Sequence, residues 1–370
     1  ARQGEEEVTL DADPSKPLMG RVFKVNITDV GRRSFLRVFQ GTLAPDGSFY
    51  KVGDSKANKP GHLYKMQGKE QEQIDAAIAG DIVSVVKVEN LEIGDTFADK
   101  ADAPVLPTID APRPMCSLAV TPKSQKDEQK ITEALTKLVD IDPTFATKND
   151  AQTHELVVSG MSNLHLDVML NRLKENFKVE VDTKTPRIPY LETITTNAEG
   201  HYRHKKQTGG AGQFGEVYIR IMPRNDRDNP DPLTFENKIV GGAISGPLIP
   251  PVEKGIREAM TEGILAGYQV IDITVELYDG KMHPVDSKEI AFRLAGRNAF
   301  REAFMEAKPV LLEPIADAEI TVPGDLMGDI IGDLNTRRGQ IQGMEASGAM
   351  QVIKARVPLA EMQNYATDLR

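Results

Sequence analysis

The order strand, helix, strand, strand, helix occurs twice along this chain, and it limits two segments to one type of fold. In residues 115–181, apolar side chains recur at helical spacing in two stretches that alternate with short β-branched stretches. The apolar stripes consist of Ile131, Leu135 and Leu138, and of Leu166, Leu170, Leu173 and Phe177. Strands are predicted at residues 117–120, 145–147, 155–159 and 178–181. Because this is the order of the split βαβ unit, we expect a ferredoxin-like domain here.

The same order returns from about residue 313 onward. Strands are predicted at 318–322, 340–345 and 351–357, and helices at 325–336 and 360–369. Asp325 is the predicted N-cap of the first of these helices, because its carboxylate can accept the free N–H groups of a helix start. A ferredoxin-like unit needs one more strand after the second helix. We therefore expect a second ferredoxin-like domain that lacks its last strand.

The remaining sequence divides at proline-rich stretches. Residues 21–97 contain short strands separated by turn residues, which predicts a small β-barrel with a hairpin at residues 45–47. Residues 104–114 predict a linker, and residues 185–189 predict a second boundary. A chain of 370 residues is too long for a single core. The predicted domains are residues 1–107, 108–186, 187–312 and 313–370.

The third of these domains contains four glycines within seven residues, at 209–215. Gly210, Gly212 and Gly215 match the G-x-G-x-x-G fingerprint of dinucleotide-binding folds, but that fingerprint needs a helix after it. Residues 217–221 are β-branched and aromatic and predict a strand, which excludes this interpretation. The spacing also fits a kinase phosphate loop, but H-R-D and D-F-G are missing, so a kinase is a distant alternative. The sequence contains no G-x-x-x-x-G-K-[ST] phosphate loop either.

A third interpretation is a basic, flexible hairpin tip that meets a polyanion. Arg203, Lys205 and Lys206 precede the glycines and would attract phosphates, while glycines let a backbone approach a ligand closely. A second polar loop at 279–287 follows a predicted strand, and its Asp-Gly pair favours a turn. A solvated hairpin with incidental charge is the alternative. Helices are predicted at 252–265 and 287–307, the second with its inward side formed by Phe292, Ala295, Ala299 and Phe300.

Composition excludes several classes of protein. A single cysteine, Cys116, excludes a disulfide framework and agrees with a reducing cytosol. The six histidines show no metal-ligand spacing, and no apolar run is long enough to span a bilayer. The formal net charge of −10 confines any contact with nucleic acid to local patches.

Several longer motifs resemble translation elongation factor G, in the region that follows its GTPase domain. The most specific is GDIIGDLNTRRG at residues 328–339. The other similar segments are residues 142–145, 207–215, 241–244, 285–289 and 357–362. They extend across essentially the whole chain. The sequence departs from the family at Ala211, where Arg is common, in residues 161–167, and at Lys281 and Pro284.

The resemblance implies a multidomain α+β protein. Its parts would be a β-barrel (domain two), a ferredoxin-like domain three, a two-loop α/β domain four with an S5-like fold, and a ferredoxin-like domain five without its last strand. In such factors a separate G domain, absent from this chain, hydrolyses GTP with magnesium. This fragment would hold no cofactor, metal or catalytic residue. The tip of domain four would enter the decoding site and promote movement of tRNA and mRNA during translation elongation.

By motif position, the resemblance assigns RNA binding to the tip of domain four. The assigned residues are Arg203, Lys205, Lys206, Gln207, Thr208, Gly209, Gly210, Ala211, Gly212, Gln213, Phe214, Gly215, Asp279, Gly280, Lys281, Met282 and His283. The His283 ring can donate or accept a hydrogen bond at a sugar or base edge; its alternative role is to anchor the loop. Arg337 and Arg338 are weaker candidates for contact with the ribosome, and their alternative role is to offset a helix dipole.

The expected partners are both ribosomal subunits, ribosomal RNA, and tRNA with mRNA, and no membrane. The expected state is a cytoplasmic monomer. Two alternatives stay open: a ribosome-recycling or ribosome-protection relative within the same superfamily, and a stand-alone RNA-binding module.

Overall fold

The computed structural model describes residues 2–3, 6–28, 31–207, 212–224 and 230–369. Thr208, Gly209, Gly210 and Ala211 therefore lie outside the described residues. Contacts divide the chain into two compact units. The first comprises Ala1–Asp150, Glu155–Pro186 and Ala366–Arg370, and the second comprises Ala151–His154 and Arg187–Tyr365.

The first unit begins with a series of β-strands. These are β1 Arg2–Gln3, β2 Glu6–Glu7, β3 Met19–Thr28, β4 Gly31–Gln40, β5 Thr42–Leu43, β6 Phe49–Lys51, β7 Ala57–Asn58, β8 Leu63–Gln67, β9 Glu70–Ile74, β10 Ala77–Ile78, β11 Ile82–Val86 and β12 Thr96–Ala98. Eight of them form one sheet in the order β7-β6-β12-β3-β4-β11-β8-β9, around a core that includes Val22, Leu36 and Phe97. The hairpin predicted at residues 45–47 is wrong. A turn does form there, but β5 pairs with β10 and β6 with β7 and β12, because the flanking strands belong to different sheets.

The same unit continues with the predicted ferredoxin-like domain. Its elements are β13 Cys116–Pro122, α1 Gln125–Ile141, β14 Ala146–Asp150, β15 Glu155–Gly160, α2 Asn163–Phe177 and β16 Val181–Lys184. The sheet order β14-β15-β13-β16 places the first strand between the third and the fourth, as the split βαβ unit requires. Ile131, Leu135 and Leu138 are buried as predicted. The last strand begins at Val181 rather than at Lys178, because Lys178 adopts the left-handed conformation (φ 56°) that ends α2.

The second unit contains the loop-bearing domain, residues 187–312. Its elements are β17 Leu191–Ile194, β18 Ala198–Lys206, β19 Gln213–Pro223, β20 Leu233–Asn237, α3 Ile249–Glu262, β21 Ile273–Lys281, α4 Glu289–Glu306 and β22 Pro309–Leu312. Four strands form a sheet in the order β18-β19-β21-β20, and β17 pairs separately with β22. Both helices pack on one face of the sheet, and the four predicted residues of α4 are buried there. The α3 helix ends earlier than predicted, at Glu262, because Gly263 (φ 76°) leaves the helical conformation.

The second unit also contains the second ferredoxin-like sheet. Its elements are β23 Ile315–Pro323, α5 Met327–Thr336, β24 Gln340–Ser347, β25 Met350–Pro358 and α6 Leu359–Met362. They are followed by α7 Tyr365–Asp368, whose residues from Ala366 onward belong to the first unit. The order β23-β25-β24 leaves β23 with one neighbouring strand within the described residues. The predicted cap at Asp325 is wrong, because Asp325 lies inside a 3-10 turn and α5 starts without a side-chain cap. The helix predicted at 360–369 is divided into α6 and α7. No helix in the described part of the chain is long and apolar enough to cross a membrane.

Candidate nucleic-acid interface

The described residues that follow the first polar loop, Gly212 and Phe214, contact the second polar loop. The backbone N–H of Phe214 donates to the carbonyl of Asp286 (2.9 Å), and the Ser287 hydroxyl donates to the Phe214 carbonyl (2.9 Å). The ring centroids of Phe214 and His283 are 6.3 Å apart. Gly212 allows this approach, since a Cβ there would lie 2.7 Å from the Asp286 carboxyl carbon. The residues that border the first loop therefore lie beside the second loop, at the same end of the domain. We call the end of the domain where they meet the tip.

Helix α4 separates the tip from the opposite end of the domain. Near its start, Ala291 lies against Gly215, where a Cβ would come within 3.1 Å of the helix backbone. At its end, the carbonyl of Ala307 accepts the N–H of Thr195 (3.2 Å), close to the paired strands β17 and β22. The helix has 18 residues, so its length is about 27 Å. The tip thus lies a full helix length away from the end that joins the rest of the chain.

The second loop is shorter than the sequence suggested. Asp279, Gly280 and Lys281 belong to strand β21 and pair with β19, so the turn predicted at Asp279-Gly280 is wrong. Cross-strand pairing with Tyr218 and Val217 overrides the local turn preference, and the chain turns between His283 and Ser287 instead. Arg203, Lys205 and Lys206 are in β18, Gln207 and Gly212 border the first loop, Gln213, Phe214 and Gly215 start β19, and Met282 and His283 follow β21.

The three predicted cations differ in their surroundings. Arg203 donates from Nη2 to Glu216 (3.0 Å), and this bond raises the pKa of the guanidinium. Lys205 and Lys206 are exposed and form no ion pair within the part of the chain that the structure describes. Lys205 and Lys206 are therefore the more available of the three charges for an external phosphate, whereas Arg203 is shared with an internal acid.

Glu216 was not singled out in the sequence, although it accepts a hydrogen bond from the predicted residue Arg203. Its side chain is fully buried, and Oε1 accepts bonds from Arg203, from His201 Nε2 (2.8 Å) and from the Tyr218 hydroxyl (3.1 Å). Burial alone raises the pKa of this carboxyl, but the three donors outweigh burial and hold the pKa below its ordinary value. The same arrangement raises the pKa of Tyr218, through burial and the neighbouring carboxylate.

His283 anchors the second loop and still presents one ring nitrogen. Its Nδ1 accepts the backbone N–H groups of Val285 (3.3 Å) and Asp286 (3.2 Å), and its backbone N–H donates to the Ser287 hydroxyl (2.7 Å). Because Nδ1 accepts, the neutral ring carries its proton on Nε2. Half of the side chain is exposed, and Nε2 has no partner among the described residues. The ring can therefore anchor the loop through Nδ1 and, at the same time, donate a hydrogen bond to an external group through Nε2.

The two arginines predicted to face the ribosome take part in ion pairs of the second ferredoxin-like domain. Arg337 pairs with Asp333 (3.0 Å) one turn earlier on α5 and lies over the Tyr365 ring. Arg338, in a left-handed conformation, pairs with Glu313 (2.6 Å) and Glu361 (3.3 Å). Among the described residues, no three His, Cys, Asp or Glu side chains are placed to hold a metal ion.

Four family models match successive parts of this chain. They are elongation factor G domain 2 at residues 17–100, domain III at 111–185, domain IV at 186–308 and the elongation factor G C-terminus at 310–370. An elongation factor G of Salinibacter ruber is 44% identical over 369 residues, which are 99% of this chain and 52% of that protein. A crystal structure from Thermus thermophilus matches with a TM-score of 0.80 and 37% identity, over 95% of this chain and 52% of that one. The chain spans about half the length of these two relatives and belongs to the elongation factor G family.

Proposed function

We propose that this chain is the part of a ribosomal translocase that acts on tRNA and mRNA. In this proposal the tip of the loop-bearing domain enters the decoding site of the ribosome during elongation. It occupies the space behind the moving tRNA and mRNA, and so prevents their return. Family membership supports this role, because the similar protein of Salinibacter ruber is an elongation factor G.

One observation carries the proposal more than the others. Two loops that are more than sixty residues apart in sequence meet at one end of a domain, held by bonds between Phe214 and the Asp286-Ser287 pair. Around them lie the exposed Lys205 and Lys206, which form no ion pair with any described residue, and the exposed ring of His283. Exposed cations suit a phosphate backbone, and a neutral ring donor suits a sugar or base edge. Because helix α4 is about 27 Å long, the tip projects about that far from the opposite end of the domain.

The energy for this step would come from elsewhere in the full-length protein. GTP and magnesium would bind a G domain outside this chain, whereas the residues present here would contribute RNA contacts and no catalytic group. We further propose that the protein works in the cytoplasm as a monomer. Its partners would be both ribosomal subunits, the ribosomal RNA and the tRNA–mRNA pair.

Site-directed cleavage of ribosomal RNA tests where the tip binds. Cys116 is buried and is the one cysteine of this chain, so it can be replaced without loss of a surface contact. A radical-generating iron chelate is attached to Met282→Cys at the tip, in a full-length factor with every other cysteine replaced. The matched control carries the chelate on Leu311→Cys, at the opposite end of the domain. Leu311 and Met282 are each 45% exposed, so the two probes differ in position and not in accessibility.

The tip probe is expected to cut small-subunit RNA around the decoding site, and the control probe is expected to leave that region intact. Cleavage of the decoding region by both probes or by neither would contradict the proposal. Cleavage at the decoding site without any effect of tip variants on elongation would favour a recycling or protection role. Binding to free RNA with no preference for ribosomes would favour a stand-alone RNA-binding module.

A further inference from the structure

A buried carboxylate lies on the open face of the loop-bearing domain's sheet, just behind the tip. Gly200 of β18 packs against Ala299 of α4, so the alternate residues His201 and Arg203 lie on the face that the helices leave uncovered. Arg203 is opposite Glu216 in the pairing of β18 with β19. Glu216 has no exposed surface, although no helix covers it. On its other side, strand β21 pairs Lys281 with Glu216.

The hydrogen bonds of Glu216 are one-sided. All three donors, from Arg203, His201 and Tyr218, reach Oε1. The other oxygen, Oε2, is buried and has no hydrogen-bond partner among the described residues. Burying an ionised carboxylate is costly unless its bonds and charge are compensated. The three donors compensate the charge from one side only, so the oxygen that they share fixes the positions of Arg203, His201 and Tyr218.

The neighbours of Glu216 connect it to both loops. Arg203 lies three residues before Lys206, where β18 ends and the first loop begins. On β19, Phe214 lies two residues before Glu216 and holds the second loop through Asp286 and Ser287. Arg203 is 53% exposed and uses one nitrogen for Glu216, so the rest of its guanidinium points to solvent in a fixed direction. A side chain that is oriented in advance loses less entropy when it binds.

We infer that Glu216 is a positioning residue of the tip. Its charge holds Arg203 and His201 in place, and thereby fixes how β18 enters the first loop and where the Arg203 guanidinium meets an RNA phosphate. This inference rests on the proposed role of the tip in translocation. The partner of Arg203 is a phosphate of the RNA that the tip contacts, since a planar guanidinium with free N–H groups matches phosphate oxygens.

A double-mutant cycle in a full-length factor tests the inference. The variants are Glu216→Gln, Arg203→Ala and the two combined. The matched control is Glu199→Gln, which removes an exposed charge from the same strand pair without touching Arg203. Three quantities are measured for each variant: the single-turnover rate of translocation, the rate of ribosome-stimulated GTP hydrolysis and the midpoint of thermal unfolding.

Glu216→Gln and Arg203→Ala are each expected to slow translocation by about threefold to tenfold, which is the lower part of the range for coupling between contacting residues. The double variant is expected to be no slower than the slower single variant, and GTP hydrolysis should stay at the wild-type rate. Glu199→Gln should translocate normally. If the two reductions in translocation rate multiply in the double variant, the positioning role is wrong. A lower unfolding midpoint for Glu216→Gln with a normal translocation rate would also overturn it, because Glu216 would then have only a structural role.

Arg203→Lys covers the case in which Glu216→Gln does not fold. Lysine keeps the buried charge paired but lacks the fixed fork of guanidinium donors, so translocation should still slow. A wild-type rate for Arg203→Lys would contradict the inference. A variant of His283, which does not contact Glu216, separates the two proposals. If His283→Asn slows translocation and Glu216→Gln does not, only the positioning role fails; if neither does, the proposed function of the tip fails too.

Discussion

Replacing Glu192 with Gln is expected to destabilise the loop-bearing domain by about 3 kcal/mol, at the end opposite the tip. The Glu192 side chain on β17 is fully buried. Its Oε2 accepts the N–H groups of Ile264 (2.7 Å) and Leu265 (2.8 Å), and its Oε1 accepts those of Ala266 (2.7 Å) and Tyr268 (3.0 Å). The carboxylate therefore ties the loop after α3 to this strand.

The magnitude follows from the number of bonds that an amide cannot make. Glutamine keeps one acceptor oxygen and presents an NH₂ group where two N–H donors already point, so at least two bonds are lost. A hydrogen bond to a charged group contributes about 1.5–3 kcal/mol. We take the lower value for each lost bond, because water can reach part of the freed loop. For a unit of this size, 3 kcal/mol lowers the unfolding midpoint by about 6–12 °C.

The assay is thermal unfolding of wild type and Glu192→Gln at several pH values. Burial raises the pKa of Glu192, but the four N–H donors outweigh burial and hold the pKa below its ordinary value of 4.5. A carboxyl whose pKa is lower in the folded state stabilises that state above pH 4.5, and this stabilisation is lost as the pH falls through the folded-state pKa. The difference between the two proteins should thus be largest at neutral pH and shrink in acid.

Two results would refute this reasoning. One is an unfolding midpoint for Glu192→Gln close to that of wild type at pH 7. The other is a difference that stays constant from neutral pH to pH 3. Glu199→Gln is the control, because it removes an exposed, ion-paired charge whose contribution should be below about 1 kcal/mol. Hydrogen exchange of the amides at residues 264–268 should accelerate in Glu192→Gln and stay unchanged in the control.

Further predictions concern charge, packing and nucleotide binding. Replacing Lys205 and Lys206 with Ala should reduce the slope of log affinity against log salt for ribosome binding by roughly 1–2; an unchanged slope would show that neither lysine meets a phosphate. Gly255→Ala should destabilise the second unit by about 1–3 kcal/mol in a denaturant titration, because its Cβ would overlap the Arg293 carbonyl of α4. Gly332→Ala on α5 has open space and should instead stabilise by up to about 1 kcal/mol. Titration calorimetry of this chain with GTP and magnesium should show no binding, since the sequence has no phosphate-loop motif.

The two ferredoxin-like segments could be predicted from the sequence, because most of their helices and strands carry a periodic pattern of apolar residues. The stripe of Ile131, Leu135 and Leu138 is buried where the spacing placed it. Local signals were less reliable where a neighbouring strand competed with them. Asp279-Gly280 has turn-forming residues, yet it stays in β21 because β19 pairs with it. Strand β20, which runs parallel to β21, had no periodic signal that would have indicated it.

The approach of the two loops could be predicted from the sequence, whereas the side-chain interactions around them could not. This approach followed from the idea of a single tip, and the residues that border the first loop lie beside the second loop. Glu216 and Glu192 were missed, because an isolated glutamate in a strand gives no sign that it will be buried. Glu192 binds N–H groups more than seventy residues away, and such pairing is determined by tertiary structure. The role of the tip in RNA binding stays a prediction.

Translocation by a full-length factor that carries His283→Asn tests the central claim most directly. The asparagine amide oxygen can replace Nδ1 as the acceptor that anchors the loop through Val285 and Asp286, but the outward Nε2–H donor is lost. We expect single-turnover translocation to slow markedly, as it should for His283→Ala, while ribosome-stimulated GTP hydrolysis stays near the wild-type rate. Normal translocation, or an equal loss of translocation and GTP hydrolysis, would contradict the claim that the tip acts on RNA.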